Sequence, residues 1–188
     1  LQQTVPMWVA ARSPITFDYA VANDCNIMSW PLTLPFSEAE KYRTQLDLAI
    51  AKNGGTYKGR FAMMRHTSVY ENANDRQSAL DATRGVLSQF GNLIMKSGEV
   101  RNGFPDPVPL ESLEGNFRVE PKMLEENLVF GSPDEVIDKL EKYQEIGVDA
   151  FIYYASMGLG MAQQQRSLRL FIEHVMPAFN NRKSNNAR

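Results

Sequence analysis

An α/β protein built on parallel strands is the fold class this sequence predicts, and two observations predict it. A short apolar strand, a turn and an amphipathic helix follow one another four times along the 188 residues, the alternation that βα units of a parallel sheet require. Serine-led capping signals stand at three of the helix starts, so the helical segments have marked beginnings as well as helical spacing. With 43% apolar residues the chain has enough material for the core of one globular unit. Local pattern leaves two arrangements open for four such units, an open doubly wound sheet and half of an eight-stranded barrel.

The first unit opens with the strand Pro6–Ala11 and passes through Arg12-Ser13-Pro14 into a helix ending near Asn23. Ser13 offers a cap hydroxyl, and Pro14 has the fixed φ that suits the first helical position. The second strand, Asn26–Trp30, leads through the proline-rich stretch Pro31–Pro35 to Ser37-Glu-Ala-Glu40, whose spacing predicts a capping box, with a helix stopping near Asn53-Gly54-Gly55. The third strand is Gly59–Val69, followed by a helix from about Asn74 to Met95. Residues 98–127 carry four prolines and no clear periodicity, and read as a long connecting insertion. The last unit begins with a helix from Ser132-Pro-Asp-Glu135 to Ile146, again with a capping box, and Gly147 reads as its C-terminal stop. The strand Asp149–Tyr154, the turn Ser156–Gly160 and a final helix bearing Leu168, Phe171, Ile172, Val175 and Phe179 complete the chain.

Composition removes several function classes. The 20 basic and 22 acidic residues are interspersed and give a net charge of -2, so no basic footprint for nucleic acid exists. A single cysteine excludes an internal disulfide and leaves too few ligands for a cysteine-based zinc site. No signal-peptide pattern and no membrane-length apolar run is present, and a reducing, cytoplasmic setting is the expectation. Leu1 stands where an initiator methionine would be, and the chain enters the apolar stretch Met7–Ala11 almost at once; the expectation is a segment of a longer polypeptide.

Two long segments resemble the bacterial luciferase-like monooxygenase family in order and spacing. The first is Pro6-Met-Trp-Val-Ala-Ala-Arg-Ser-Pro14, continuing to Ile27-Met-Ser-Trp30. The second is Val129-Phe-Gly-Ser-Pro-Asp-Glu-Val-Ile-Asp-Lys-Leu140, followed by Gly147-Val-Asp149, Ser167-Leu-Arg-Leu-Phe171 and Val175-Met-Pro177. The resemblance implies that residues 1–188 are the C-terminal portion of a single (β/α)8 TIM-type barrel domain, strands five to eight, with the loop insertion near 98–127. It also implies that the missing N-terminal half of the barrel is a partner, since unpaired strand edges and an uncovered apolar inner face favour association. Family members are commonly homo-oligomers.

Barrel enzymes place their chemistry after the C-terminal ends of strands. In the resembled family the FMN phosphate is bound at the start of the helix that corresponds to the first one in this chain, making Ala11, Arg12 and Ser13 candidates through backbone N–H, charge and hydroxyl. On the residues alone, Ser13-Pro14 is a good helix cap and Arg12 a solvated side chain. Where that family's luciferase has an acidic residue and serine, this chain has Ala-Arg-Ser. Ser29 and Trp30 end the second strand, where an indole suits either a flavin pocket or rim packing. His66, one of two histidines, is the candidate for proton transfer near neutral pH, against the reading of a hydrogen-bonded structural histidine. It lies where alkanesulfonate-type members of the family carry an Arg-x-His histidine, but Met64 occupies the arginine's place and Arg65 falls on the other face. His174 reads as a surface or packing residue, Cys25 as a small buried apolar one, and no metal site is expected.

What the resemblance implies for function is a flavin-dependent monooxygenase in which reduced FMN (FMNH2) and O2 oxygenate a small-molecule substrate. A separate NAD(P)H-dependent flavin reductase supplies the reduced cofactor. The alternatives are a deazaflavin F420-dependent oxidoreductase of the same fold and a non-catalytic flavin-binding relative. Much of the machinery belongs to the other half of the barrel, so residues 1–188 are expected to bind flavin poorly, and to be inactive, by themselves.

Overall fold

The computed structural model describes residues 5–95, 99–106, 108–109, 111, 115–116, 119–155 and 158–180. They divide into two compact units, one taking in the chain up to Arg65 together with Asp138–Tyr154, the other His66–Ile137 and the residues from Ala155 onward.

The first unit contains β1 (Trp8–Ala10), α1 (Pro14–Ala22), β2 (Asn26–Ser29), α2 (Phe36–Lys52) and the first half of β3 (Phe61–Val69). Its register is parallel throughout, Trp8 opposite Asn26 and Ala10 opposite Met28, then Ile27 opposite Phe61 and Ser29 opposite Met63. The parallel α/β reading of the sequence therefore holds. Phe17, Ala20 and Val21 of α1 and Ala39, Tyr42, Leu46 and Ala49 of α2 are buried, the spacing that turns one helical stripe toward a sheet. The helix start predicted at Ser37 lies two residues later than the observed cap. Pro35, extended at φ -63 and ψ 168, is the N-cap, and Ser37 sits inside the first turn without a capping bond. Proline's fixed φ has set the boundary ahead of the serine's hydroxyl.

The end of α5 (Pro133–Glu145) and β7 (Ala150–Tyr154) also belong to this unit, and β7 pairs with β3. Asp149 fixes that pairing: its N–H donates to the Phe61 carbonyl at 2.8 Å while its carboxylate accepts the Phe61 N–H at 2.8 Å. Gly147 stops α5 as expected, at φ 76, with the Val148 N–H reaching back to the Tyr143 carbonyl at 3.0 Å.

In the second unit, the remainder of β3 runs parallel to β6 (Val129–Gly131), with Thr67 opposite Val129 and Val69 opposite Gly131. Tyr70, Ala79, Leu80, Leu124, Leu128 and Phe130 form a buried apolar cluster between α3 (Ala73–Met95), α4 (Pro121–Asn127) and β6. The stretch that reads as a long connecting insertion also holds short regular elements. It contains a hairpin, β4 (Val100–Arg101) and β5 (Phe104–Pro105), as well as α4; the rest of it lies partly outside the described residues. The hairpin turns through Asn102 and Gly103 at φ 51 and 82, the positive-φ pair of a tight two-residue turn. Strand β6 lies just ahead of the helix expected to begin the last unit. The capping box at Ser132 is present in full, the Ser132 N–H and hydroxyl both meeting the Glu135 carboxylate, at 2.8 and 3.0 Å.

The chain closes with α6 (Met161–Leu170), a π-helical turn (Phe171–Val175) and α7 (Met176–Asn180). The widened turn lies directly ahead of Pro177, whose ring would strike the Glu173 carbonyl in an unbroken α-helix. Ser167 of α6, buried, accepts the Val69 N–H at 2.7 Å and so ends the β3 ladder. No helix among the described residues is long and apolar enough to cross a membrane.

Candidate active site

In a strand, successive side chains take opposite faces, and the parallel register of the first unit sorts its residues into two sets. One face carries Ala11, Ile27, Ser29, Phe61, Met63 and Arg65, each at most 1% exposed. This is the face covered by helices, since α1 packs on β1 and β2 and against α2, and the Phe17 and Tyr42 rings lie 6.2 Å apart. The opposite face carries Ala62, which is buried, and Trp8, Ala10, Met28, Trp30, Met64 and Tyr154, which are not. It is apolar and aromatic, and partly open.

The candidates named from sequence divide between these faces. Ser29 faces the helices and is buried, its hydroxyl donating to the Ala11 carbonyl at 2.7 Å. Ala11 has the same orientation, and its N–H donates to the Met28 carbonyl at 3.0 Å. Both backbone groups of Ala11 are thus engaged in tying the end of β1 to β2. Trp30 is on the open face, edge-on to Tyr154 with ring centroids 5.6 Å apart and planes at 73°.

Arg12 and Ser13 lie at the exposed corner between β1 and α1. Ser13 is the N-cap by position, at φ -115 and ψ 150, yet its hydroxyl makes no capping bond. It pairs instead with the Thr16 hydroxyl at 2.9 Å, while its carbonyl accepts the N–H groups of Thr16 and Phe17 at 3.0 and 3.2 Å. The Arg12 Nε donates to the Tyr42 hydroxyl at 3.2 Å, which orients the guanidinium. A cation and two hydroxyl groups therefore stand at the positive end of a nine-residue helix, a donor set suited to a phosphate. Thr16 completes it; its spacing, one turn into the helix from Ser13, is the signal the sequence offers for it.

Arg65 reads in the sequence only as the off-register neighbour of His66, and the structure gives it more weight. It is fully buried, its two terminal nitrogens donating to the carbonyls of Leu32 at 3.2 Å and Leu34 at 2.9 Å. Burial lowers the affinity of its guanidinium for the proton, and the nearby Tyr143 acts in the opposite sense, as does Tyr42. Burial likewise pushes the Tyr143 phenol up, with Arg65 working against the rise. Tyr143 is further packed by Phe36, edge-on at 5.0 Å, and by Phe151 at 6.2 Å.

In the second unit His66 is 3% exposed on β3. His174 is exposed on the π-helical turn, and Cys25 is half-buried rather than buried. Of the turn Ser156–Gly160, Ser156 and Met157 lie outside the described residues, and Gly160 caps α6. Among the described residues no group of three or more His, Cys, Asp or Glu side chains is placed to hold a metal ion.

The model of the luciferase-like monooxygenase family matches residues 1–150. A curated relative, the oxygenase component of flavin-dependent trigonelline monooxygenase from Acinetobacter baylyi, is 31% identical over 182 residues, covering 97% of this chain and 51% of that protein. Among solved structures, the fold is similar to that of monooxygenase RslO1 from Streptomyces bottropensis, with a TM-score of 0.63 and 19% identity over 95% of this chain and 50% of that one. It is also similar to that of the coenzyme F420-dependent tetrahydromethanopterin reductase from Methanopyrus kandleri, with a TM-score of 0.65 and 16% identity over 94% of this chain and 51% of that one. The chain spans about half the length of each of these proteins.

Proposed function

This chain belongs to the luciferase-like monooxygenase family, and from that premise we propose that it is the C-terminal half, strands five to eight, of a (β/α)8 barrel in the oxygenase component of a flavin-dependent monooxygenase. In this reading reduced FMN and O2 oxygenate a small organic substrate, and a separate NAD(P)H-dependent flavin reductase delivers the reduced cofactor. The relative's description as an oxygenase component supports the two-protein arrangement. One observation carries the cofactor assignment. The partly open aromatic face bearing Trp30 and Tyr154 belongs to the same unit as the helix start that gathers Arg12, Ser13 and Thr16.

When bound, the reduced flavin supplies the electrons for the oxygen chemistry. The protein's part is to bind, orient and exclude water. Arg12, with the hydroxyls of Ser13 and Thr16, would hold the phosphate by charge and hydrogen bonding. Ala11 and Ser29 keep that corner in place through the 2.7 Å bond between them. Trp30 would face the ring system, held edge-on by Tyr154. His66 of β3 is the group proposed to hold or move a proton through an imidazole nitrogen.

The second reading is hydride transfer with coenzyme F420, favoured by the likeness of fold to an F420-dependent reductase; a phosphate-binding helix start beside an aromatic face serves either cofactor. The deciding experiment is to titrate the complete polypeptide with FMN and with F420, following the absorption of the bound cofactor, then to measure oxygen uptake with reduced FMN and candidate substrates. Tight FMN binding with substrate-linked oxygen uptake is expected. Binding of F420 in preference to FMN would replace the monooxygenase reading, and flavin binding without any oxygenated product would point to a binding-only relative.

A further inference from the structure

Arg65 is at 0% exposure in the middle of β3, an expensive place for a cation. An apolar side chain of similar length would fill the same space without that cost. What an apolar side chain would lack is a rigid fork of donors. The fork is used: Nη1 reaches the Leu32 carbonyl at 3.2 Å and Nη2 the Leu34 carbonyl at 2.9 Å.

Both carbonyls belong to the short connection between β2 and α2. Leu32, in that connection, has φ 58, the left-handed region that residues with a Cβ rarely occupy and that must be held by its surroundings. Trp30 immediately precedes the connection, on the open face of the sheet against Tyr154. On the other side of the cluster, Tyr42 lies near enough to feel the charge of Arg65 and also accepts the bond from Arg12. The two sides of the proposed cofactor corner thus meet at one buried cluster on the helix-facing side.

We propose that Arg65 is a positioning residue: its guanidinium fork locks the Pro31–Pro35 connection in its left-handed turn and thereby fixes Trp30 on the open face. The relevance of this brace to a cofactor rests on the reading that flavin binds that face; the brace itself does not.

The test uses the complete polypeptide carrying Trp8→Phe, so that Trp30 is the one tryptophan of residues 1–188, and adds Arg65→Lys or Arg65→Met. Where the parent polypeptide has further tryptophans, difference spectra against Trp30→Phe isolate the signal. Acrylamide quenching of Trp30 is measured without any flavin, beside circular dichroism and the thermal midpoint, and FMN affinity is measured separately. Arg65→Met is expected to keep the helical signal, to make Trp30 about twofold easier to quench and to weaken FMN about tenfold. Arg65→Lys, which keeps charge and stem but loses the fork, is expected to fall between Arg65→Met and the parent. Should Arg65→Met fail to fold, Arg65→Lys decides. Quenching indistinguishable from the parent in the folded variants would overturn the proposal, even with a lowered thermal midpoint, because it would mark Arg65 as a contributor to stability alone. Failure of the parent to bind FMN would remove the cofactor reading while leaving the quenching result to stand or fall by itself.

Discussion

Arg166 grips Asp75 with two nitrogens, Nη2 to Oδ1 at 2.7 Å and Nε to Oδ2 at 3.3 Å, and so fastens α6 to the first turn of α3. The same carboxylate accepts a bond from the Asn72 side chain at 3.1 Å, while the Asn72 side-chain oxygen caps the Asp75 N–H at 2.9 Å.

These bonds give a pH prediction with a definite sign. Arg166, and to a smaller degree Asn72, hold the Asp75 carboxyl below its ordinary value of 3.8. A folded-state value below the unfolded one means that the contribution is present above the unfolded value and lost as pH falls through the folded one. Denaturant midpoints of wild type and Asp75→Asn should therefore differ at neutral pH and converge in acid below about pH 4. A gap that stays constant down to about pH 2 would contradict the assignment.

Tyr57 predicts the opposite limb. Its hydroxyl donates to the Cys25 carbonyl at 2.6 Å, and burial, then the charge of Asp149, push the phenol up from 10.0 to about 12. In this case the folded value lies above the unfolded one, so the contribution is complete below pH 10 and disappears as pH rises through about 12. Stability measured across that window should fall for wild type, and Tyr57→Phe should lack this component of the fall.

The junction of β6 and α5 leaves no room for a side chain. Gly131 is at φ 156, and a Cβ there would meet the Glu135 side chain at 2.8 Å. Gly131→Ala is expected to cost about 1–3 kcal/mol, from backbone strain and the broken contact. Ser132→Ala, which removes only the cap hydroxyl, should cost about 1 kcal/mol. Urea unfolding of the two variants checks the order; equal losses would mean that the glycine's conformation is of no consequence.

Changing Arg12 and Ser13 together to alanine should raise the FMN dissociation constant about tenfold while leaving that of riboflavin within about twofold. The phosphate is the one group the two ligands do not share. Parallel losses for both would place the pair elsewhere than at the phosphate.

His66→Ala should lower turnover by about 10²-fold or more, the range of a lost general acid or base, with flavin affinity little changed. A kcat–pH profile identical to that of the wild type would dismiss the proton-transfer role.

What is legible in the sequence is mainly chemistry that acts over a few residues. Ser132 and Glu135 lie three apart and satisfy one another within a single turn, so their spacing alone predicts the cap that is observed. Ser37 and Glu40 have the same spacing, but Pro35 begins the helix first. Asn102-Gly103 carries a recognised hairpin signal that is easily overlooked because each flanking strand is only two residues long. Strand β6 is three residues long and is defined by its pairing with β3, a partner 62 positions away by the Thr67–Val129 register. The site follows the same rule. Arg12, Ser13 and Trp30 are named as candidates from their place after strands, whereas the inward turn of Ser29 and Ala11 depends on register between strands. Arg65 escapes a reading of the sequence because a charged side chain in a strand is expected at the surface, and its carbonyl partners lie more than thirty residues back along the chain.

The adjacency of Arg65 and His66 makes β3 a checkpoint for assembly. One residue of slippage along its neighbours would swing the guanidinium to the other side and take its fork away from the Leu32 and Leu34 carbonyls, which a single imidazole cannot serve together. A misaligned sheet thus carries a heavy penalty at this point, and the sequence pair acts as a proofreading mark for the strand that both units share.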